Sequence, residues 1–445
     1  MRFDPVPLAT TTPHTNMTTN GIPVVLSSAH AEAFLKFELK GTICCLQECE
    51  NAPKEALVRL EFLNKGAANV VFTIHRPEAS ITGACFFFVH IKDEDHRISA
   101  TAIPYETIAR EVLRIPRGKE KHLTADDILY GHEQIRPLFL PGTGKDQRRI
   151  LSIDDGLNPV GTKAWLRLDQ DFSEHLMHLE RVALFPGVIT HLSSLTDSST
   201  FDMDRITSER FLRRTNLAIL LPDMSSVPKI SFTIEIKPKW LLQSPNAPTD
   251  AVRCRTCAMQ LVTSKPRDGY ICPLRLVNGG IADLRLWVRK LVAHHFGGST
   301  NVLSNPRTEQ EVSSIIDRLT RYLVLGNGRA LLQHLLLLQS KLDPIGILRR
   351  EEMGSPTFDN NMRLAMTLRD CSWFIVIPYA EESAITSKLA DLDFKSEEKL
   401  DDWKEKEERL LRDGMYTQET TSAPKCWLSR QDNFHETEGK GKEAI

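Results

Sequence analysis

The sequence lacks several features that mark common classes of protein. Its longest apolar run, Leu331 to Leu338, is interrupted by Gln333 and His334 and is too short to span a bilayer. The 56 Lys+Arg and 58 Asp+Glu residues give a net charge of -2, so no general positive field favours nucleic acid. The N-terminus lacks the basic and then apolar pattern of a signal peptide. We therefore expect a protein of the nucleus, the cytoplasm or both, without membrane or specific nucleic-acid partners.

The cysteines do not form the pattern of a secreted domain held by disulfides. Their total of nine is odd, and three are bunched at Cys44, Cys45 and Cys49. This usage is typical of a reducing compartment.

A complete zinc motif is also missing. Cys254 and Cys257 form a Cys-x-x-Cys pair with Cys272 further on, but a closed zinc site takes four ligands and a second pair is absent. His294 and His295 fall on a predicted helix, where they need not face the cysteines. We therefore expect buried thiols and no structural zinc.

What is present is the composition of a globular protein. A chain of 445 residues with 41% hydrophobic and 26% charged residues can bury a substantial core and form two lobes or domains. Residues 1–25 and 417–445 are polar segments that we expect to be disordered.

One glycine-containing turn is a weak candidate for phosphate binding. Two predicted strands, 57–63 and 70–74, flank the small residues of Gly66–Asn69. Such a turn allows backbone amides to approach phosphate oxygens, although an ordinary hairpin has the same pattern. The run 142–145, Gly-Thr-Gly-Lys, lacks the spacing and the Ser/Thr of a phosphate-binding loop, and we reject it.

The stretch from Ser231 to Trp240 alternates as a strand does. One face is apolar and the other carries one carboxylate and two ammonium groups, from Glu235, Lys237 and Lys239. The charged face could bind a magnesium nucleotide and anionic oxygens. Taken alone, such a pattern is more often the solvated face of an edge strand, in which Pro238 prevents pairing with a further strand.

Further polar residues lie next to predicted strands. Asp370 precedes the apolar strand 373–378, where a carboxylate is either a turn residue or an acid that handles a substrate hydroxyl. Asp391 and Asp393 share a face if their segment is extended, which suits either magnesium or an acidic turn. Arg114, on a third strand, either contacts phosphates or extends along the surface.

Apolar spacing of three and four residues predicts helices over 284–296, 310–324 and 328–342, so the second half of the chain is expected to be mostly α. A further helix is predicted over 171–184.

Four motifs occur together in a recognisable order. They are Glu235–Lys239 (EIKPK), Cys254–Gln260 (CRTCAMQ), Arg369–Ser372 (RDCS) and Asp391–Lys395 (DLDFK). With Gly66–Asn69 and Val112–Ile115, they give a pattern over about residues 57–416 that resembles the inositol-pentakisphosphate 2-kinases. That family uses ATP to phosphorylate the 2-hydroxyl of inositol 1,3,4,5,6-pentakisphosphate, which gives inositol hexakisphosphate and ADP.

The resemblance implies an α+β, two-lobed fold similar to that of inositol polyphosphate kinases. Residues 26–222 would form an N-lobe of sheet and helices with the nucleotide phosphate-binding loop. Residues 223–416 would form a larger, mostly helical C-lobe with the inositol phosphate site. ATP and Mg²⁺ are the implied cofactors, and a monomer is expected.

The resemblance also implies the role of individual residues. Lys237 and Asp370 would be catalytic, and Asp391 would bind Mg²⁺. The nucleotide side would be formed by Gly66, Asn69, Arg114, Asp223 and Glu235. The substrate phosphates would be bound by Lys239, Arg255, Lys395, Lys399, Arg213 and Arg214, the last two being preferred over Arg205 and Arg210.

Two positions depart from the family pattern. Many members have histidine where this chain has Met224 and Met259. In the family, the first position lies in the hinge between the two lobes and the second lies on the substrate side, so these two family contacts are in question. Two alternatives follow for function: a catalytically inactive scaffold that binds inositol phosphates, or a kinase for another inositol phosphate. The presence of both Asp370 and Asp391 favours the kinase, because a pure binder needs no magnesium ligand.

Overall fold

The computed structural model describes residues 22–24, 43–47, 52–77, 83–92, 98–117, 123–141, 170–196, 217–263, 269–297, 309–418 and 426–430. The fold is α+β, as the resemblance implied. It divides into two compact units, the first made of Met1–Tyr130 and His178–Asp223 and the second of Gly131–Met177 and Met224–Ile445. Within the described residues, no helix is long and apolar enough to cross a membrane.

The first unit is built on nine strands. These are β1 Ile22–Val24, β2 Ile43–Gln47, β3 Leu57–Lys65, β4 Asn69–His75, β5 Cys85–Lys92, β6 Ile98–Ala102, β7 Glu111–Pro116, β8 Glu180–Leu184 and β9 Leu217–Pro222. The helices of this unit are α1 Tyr105–Ile108 and α3 Pro186–Ser194, and the chain passes into the second unit within α2 Ala125–Ile135.

The strand order of the first sheet is β1-β6-β5-β2-β8-β9-β7-β4-β3. Strand β3 also pairs with β5, so seven of the strands form a closed ring of pairings. Strands β2 and β8 are parallel, and the other pairs are antiparallel.

Two apolar clusters cover the two faces of this sheet. Strand β5 shows the division, because Cys85, Phe87 and Val89 join one cluster while Phe86 and Phe88 join the other. A strand that is covered on both faces is apolar throughout, which explains why its sequence does not alternate.

The second unit contains a small antiparallel sheet of β10 Ser231–Ile236, β11 Ser372–Pro378 and β12 Thr386–Ala390, in the order β10-β11-β12. Its helices are α4 Arg255–Thr263, α5 Pro273–Asn278, α6 Ile281–Gly297, α7 Glu309–Val324, α8 Asn327–Leu342, α9 Arg350–Met353, α10 Pro356–Asp370 and α11 Lys399–Arg412. The three helices predicted from apolar spacing correspond to α6, α7 and α8.

The sheet of the second unit packs its apolar face into the helical core. Phe232, Ile234 and Ile236 of β10 are buried in the same cluster as Leu335 and Leu338 of α8. The alternation predicted for this strand is therefore confirmed, and its charged side chains are left on the opposite face.

One predicted helix is wrong. Residues 171–184 contain the 3-10 turn Ser173–His175 and strand β8 instead of a helix. Strand β8 lies between β2 and β9 and buries Val182, Ala183 and Leu184 in the sheet. Pairing with residues distant in sequence outweighs the local pattern here.

The sequence has no second Cys-x-x-Cys pair, but a cysteine distant in sequence joins the first pair and Cys272. Cys426, from the segment expected to be a tail, is buried beside Cys254, Cys257 and Cys272. Residues 417–418 and 426–430 are the described part of that segment, and β1 is the described part of residues 1–25. The other residues of these two segments lie outside the described ranges.

Candidate functional site

Three strand ends meet at one edge of the small sheet. Ile236, the last residue of β10, is opposite Trp373 of β11, and Ser372 at the start of β11 is opposite Ala390 at the end of β12. Because β11 runs antiparallel to both neighbours, the residues that follow β10 and β12 emerge beside the residue that begins β11. This topology brings Lys237, Ser372 and Asp391 together.

The first charged cluster is centred on Ser372. Lys237 Nζ donates to Ser372 Oγ at 2.6 Å and lies 3.3 Å from Asp391 Oδ2 and 3.5 Å from Glu235 Oε1. Ser372 Oγ also lies 2.6 Å from Glu235 Oε1 and 2.8 Å from Asp391 Oδ2. The residues predicted to transfer phosphate and bind magnesium are therefore brought into direct contact.

The second cluster is centred on Asp370, the last residue of α10. Lys239 Nζ lies 2.8 Å from Asp370 Oδ1, and Lys395 Nζ lies 2.7 Å from Asp370 Oδ2. The Asp370 side chain is half exposed, whereas the two lysine side chains are 28% and 25% exposed. One accessible carboxylate is thus bound by two partly buried ammonium groups.

Lys395 is positioned by helix α10. Its backbone N–H donates to Thr367 Oγ1 at 3.2 Å, and its carbonyl accepts from Arg363 Nε at 2.6 Å. Phe394 is buried in the core beside it, with the Arg363 guanidinium 4.1 Å from the ring centroid. The loop after β12 is therefore fixed to the helix that ends in Asp370.

Two site residues have left-handed backbone conformations. Lys239 has φ 59° and Asp391 has φ 53°, in a region that side chains other than glycine rarely adopt. The buried amide of Gln339 stabilises the first of these, since its Nε2 donates to Lys239 O at 2.9 Å and its Oε1 accepts from Leu241 N at 3.0 Å. Backbone strain of this kind concentrates at functional sites.

The electrostatic environment keeps these groups ionised. Burial alone would raise the pKa of Asp370, but hydrogen bonds and charge from Lys239 and Lys395 outweigh it and lower the pKa to about 2. For Lys237, the carboxylates of Asp391 and Glu235 outweigh burial and raise the pKa of the ammonium. Burial raises the pKa of the neighbouring Cys371 to about 12, so this thiol stays neutral.

The oxygen atoms of the first cluster fit a magnesium ion. The Ser372 hydroxyl has one proton, which it can donate to only one of the two carboxylates at a time. Glu235 and Asp391 therefore present oxygens close together, and Lys237 lies within ion-pair distance of both. Magnesium takes oxygen ligands and is commonly bound by one or two carboxylates together with substrate phosphates.

Arg255 lies apart from these clusters, in a buried ion pair. At the start of α4, its Nε lies 2.6 Å from Glu407 Oε2, and the two side chains are only 8% and 1% exposed. Its guanidinium also lies 4.3 Å from the centroid of Trp240, where Arg369 lies at 3.4 Å. Within the described residues, the two Nη nitrogens of Arg255 make no hydrogen bond.

In the first unit, the predicted phosphate-binding turn is a tight hairpin between β3 and β4. Gly66 N donates to Asn69 O at 2.9 Å. With its amide oxygen oriented toward the donors, Asn69 accepts from Arg114 Nε at 3.3 Å and Nη2 at 2.6 Å. Arg117 donates to Ala67 O at 3.1 Å and secures the turn against β7. Three predicted nucleotide residues thus meet.

Asp223 follows β9 in the same unit. Its N–H donates to Arg110 O at 2.7 Å, which places it beside the start of β7. Burial raises the pKa of the neighbouring Glu111 to about 7; His178 lowers it, and the charges of Glu180 and Asp223 raise it further. This acidic group is a feature that the sequence analysis did not identify.

The remaining predicted residues are distributed as follows. Lys399 is exposed at the start of α11 and makes no ion pair with a described residue. Met259 is partly buried beside Leu410 and Tyr416, and Met224 is partly exposed just after Asp223. The four candidate arginines Arg205, Arg210, Arg213 and Arg214 lie outside the described residues.

Sequence reasoning missed two residues that hold the site. Ser372 belongs to the RDCS motif but was given no role, although the sequence places it beside Asp370 and directly before a predicted strand. Gln339 gave no signal, because it occurs within the apolar helix α8, 100 residues after the lysine whose carbonyl it binds.

Two comparisons with known proteins point to one family. The family model for inositol-pentakisphosphate 2-kinase matches residues 62–409. A protein of Yarrowia lipolytica (strain CLIB 122 / E 150), named inositol-pentakisphosphate 2-kinase, is 34% identical over 195 residues, which cover 43% of this chain and 56% of that protein. The match therefore spans little more than half of the relative's length. Since the family model matches more than half of the chain, this chain belongs to the inositol-pentakisphosphate 2-kinase family.

Proposed function

We propose that this protein is an ATP-dependent inositol-pentakisphosphate 2-kinase. It transfers the γ-phosphate of ATP to the 2-hydroxyl of inositol 1,3,4,5,6-pentakisphosphate and releases inositol hexakisphosphate and ADP. The observation that carries the proposal is the pair of lysine and carboxylate clusters at the ends of β10, β11 and β12. They lie within the region that matches the family.

Asp370 receives the substrate hydroxyl. Its carboxylate is half exposed and is oriented by two ammonium groups, so it can accept a hydrogen bond from the 2-hydroxyl. Its low pKa keeps it ionised but makes it a weak base. Its main contribution is therefore to orient the attacking oxygen, and proton removal becomes easier when substrate phosphates draw the lysines away.

Lys237 stabilises the phosphoryl group in transit. Its ammonium is held by Ser372, Asp391 and Glu235, and its raised pKa keeps the charge at neutral pH. Phosphoryl transfer needs little covalent help and depends on positioning and charge neutralisation. Mg²⁺, held by Asp391 with Glu235 nearby, would supply further charge neutralisation on the nucleotide phosphates.

The inositol phosphates require several cations. Lys239 and Lys395 would bind the substrate phosphates that approach Asp370. Arg255 retains two guanidinium nitrogens without a hydrogen bond to a described residue, and these could bind a further phosphate. Lys399, at the start of α11, and the arginines Arg213 and Arg214 complete the proposed substrate set through their places in the family pattern.

Gly66, Asn69, Arg114, Asp223 and Glu235 are the proposed nucleotide residues, through their places in the family pattern. The turn from Gly66 to Asn69 would cover the phosphates, with Arg114 oriented by Asn69, and Asp223 would contact the adenine. In this proposal the two compact units correspond to the N-lobe and C-lobe of a two-lobed kinase, which acts as a monomer in the nucleus, the cytoplasm or both.

The proposal is tested by incubating the protein with Mg-ATP and separate inositol pentakisphosphate isomers. We expect hexakisphosphate only from the isomer with a free 2-hydroxyl. Binding without product would support the scaffold, and product from another isomer would support a different kinase; either result would overturn the proposal.

Matched variants test the assigned residues. Lys237→Met and Asp370→Asn should each lower kcat by about 100-fold or more while leaving the fold intact. Lys406→Met and Asp402→Asn make the same changes in an exposed ion pair on α11 and should retain full activity. Equal activity in both sets would contradict the assignment.

A further inference from the structure

One indole ring in the second unit contacts two guanidinium groups. From the ring centroid of Trp240, which is 7% exposed, the guanidinium of Arg369 lies at 3.4 Å and that of Arg255 at 4.3 Å. Each guanidinium also has its own buried carboxylate partner. Asp343 binds Arg369 at 2.6 Å, and Glu407 binds Arg255. The ring therefore contacts two cations whose charges are already neutralised.

The hydrogen bonds of Arg369 leave its orientation dependent on this ring. Its side chain is 1% exposed, and its Nη1 donates to Asp343 Oδ2 at 2.6 Å. Its Nε and Nη2 are also buried but have no hydrogen-bond partner among the described residues. Buried donors of this kind are rare, because each one destabilises the fold. The face of an aromatic ring attracts a guanidinium, so the stack of Arg369 on Trp240 is the second contact that fixes this arginine.

The stack is joined directly to the second charged cluster of the site. Trp240 follows Lys239 in the loop after β10, and Arg369 precedes Asp370 at the end of α10. Lys239 Nζ lies 2.8 Å from Asp370 Oδ1, so two consecutive pairs of residues connect the loop to the helix. An ion pair with a half-exposed carboxylate is weak, because water screens it and both side chains lose freedom. The buried stack is therefore the stronger of the two connections.

We propose that Trp240 and Arg369 are positioning residues for the reaction. Their stack fixes the end of α10 to the loop after β10, and it thereby holds Lys239 and Asp370 in the arrangement that the acceptor hydroxyl requires. Both side chains are buried, so they act through this ion pair and do not touch substrate. The inference rests on the proposed function, in which Asp370 orients the hydroxyl. A displacement of about 1 Å at a reacting centre can lower the rate about 100-fold.

Two substitutions that both shorten Trp240 separate the aromatic face from simple packing. Trp240→Phe keeps a ring that Arg369 can contact, whereas Trp240→Leu does not. For the folded protein, we expect Trp240→Leu to lower kcat about 10- to 100-fold and Trp240→Phe to lower it less than about 5-fold, with KM for ATP unchanged in both. Trp287→Leu removes a tryptophan of similar burial from α6 and should leave kcat unchanged. Equal losses in kcat for the phenylalanine and leucine variants would overturn the proposal.

The ion pair can also be measured without substrate. An amine-reactive reagent should acetylate Lys239 slowly, because its ammonium is bound by Asp370 and its side chain is 28% exposed. Mass spectrometry should show severalfold faster acetylation in Trp240→Leu and in Arg369→Lys, which keeps the positive charge but has no planar group. The rate in Trp287→Leu should equal that of the unaltered chain. An unchanged rate in Trp240→Leu would refute the positioning role.

This second measurement separates the inference from the proposed function. An unaltered chain that makes no hexakisphosphate would overturn the proposed function, while the acetylation rates of Lys239 would still decide whether the stack holds the ion pair.

Fluorinated tryptophan tests the stack if the leucine variant does not fold. Tryptophan with added fluorine atoms, introduced in place of Trp240 alone, nearly keeps the shape of the ring but reduces the negative charge of its face. Acetylation of Lys239 should become faster with each added fluorine. A rate that does not depend on fluorine would refute the proposal.

Discussion

The buried pair of Arg255 and Glu407 gives the sharpest test of how this site is held. Glu407 is 1% exposed and accepts from Arg255 Nε at 2.6 Å, Ser244 Oγ at 2.7 Å and Tyr416 Oη at 2.5 Å. Glu407→Leu removes the carboxylate and leaves the guanidinium buried without its partner. Removal of one partner of such a pair costs about 3–5 kcal/mol in the free energy of unfolding.

Arg255→Met removes the positive charge and keeps a side chain that can cover Trp240. We expect a loss of similar size, about 3 kcal/mol, because the Glu407 carboxylate then remains buried and unpaired. The double variant should lose much less than the sum, with a coupling free energy of about 2–3 kcal/mol, since neither uncompensated charge is left.

Equilibrium urea unfolding, followed by circular dichroism at pH 7, measures the three values. An exposed pair on the same helix, Lys406 with Asp402, provides a control cycle in which coupling should stay below about 1 kcal/mol. Losses for Arg255 and Glu407 that add within about 0.5 kcal/mol would refute the reasoning.

The same variants separate the two roles of Arg255. If its Nη nitrogens bind substrate, Arg255→Lys should raise KM for the inositol phosphate by more than the loss of stability explains. A purely structural arginine would leave KM unchanged in the folded fraction.

Three further predictions concern single residues. Asp370→Asn should lower the free energy of unfolding by about 1 kcal/mol at pH 6, a small value because water screens a half-exposed ion pair. The difference between the variant and the unaltered chain should vanish as pH falls from about 4 toward 2, because the folded-state pKa of Asp370 is lowered to about 2. An equal difference at pH 6 and pH 2 would contradict this. The pKa of Glu111 is raised to about 7, so the stability that it contributes when protonated is lost as pH rises from about 4.5 through 7. In Glu111→Gln, the free energy of unfolding in urea should therefore depend less on pH between pH 5 and 8. An unchanged dependence on pH would count against this reasoning. Ser372→Ala should lower kcat about 10- to 100-fold with little change in melting temperature, because one hydroxyl orients both Lys237 and Asp391. Ser340→Ala on α8 is the control and should keep full activity. Full activity of Ser372→Ala would contradict its positioning role.

The parts of the fold that could be predicted are those with a local signal. The alternation around Glu235 and the apolar spacing of α6, α7 and α8 each depend on neighbours in sequence, and the structure confirms them. Strand β8 could not be predicted, because its pairing with β2 and β9 comes from distant segments.

The same limit applies to the sites. The family motifs identify Lys237, Asp370 and Asp391 as one set, and the structure places Lys237 and Asp391 at adjoining strand ends and Asp370 at the end of α10. Cys426 lies 154 residues from Cys272, which it contacts, and Gln339 lies 100 residues from Lys239, whose carbonyl it binds. No count of spacing along the chain reveals such contacts, because only the packing of helices brings them about.

The charges of the site suggest why lysines and carboxylates are paired before substrate arrives. Lys239 and Lys395 each contact Asp370, so their charges are neutralised and its pKa is held near 2. In the proposed reaction, the five phosphates of the substrate would compete for both ammonium groups, and each ammonium that turned toward a phosphate would lower the positive charge beside Asp370. The pKa of that carboxyl should then rise, which makes it a stronger base when a hydroxyl is next to it. Free inositol carries no phosphate and would not produce this effect, so the proposed arrangement would favour polyphosphorylated acceptors, because the base would be activated only in their presence.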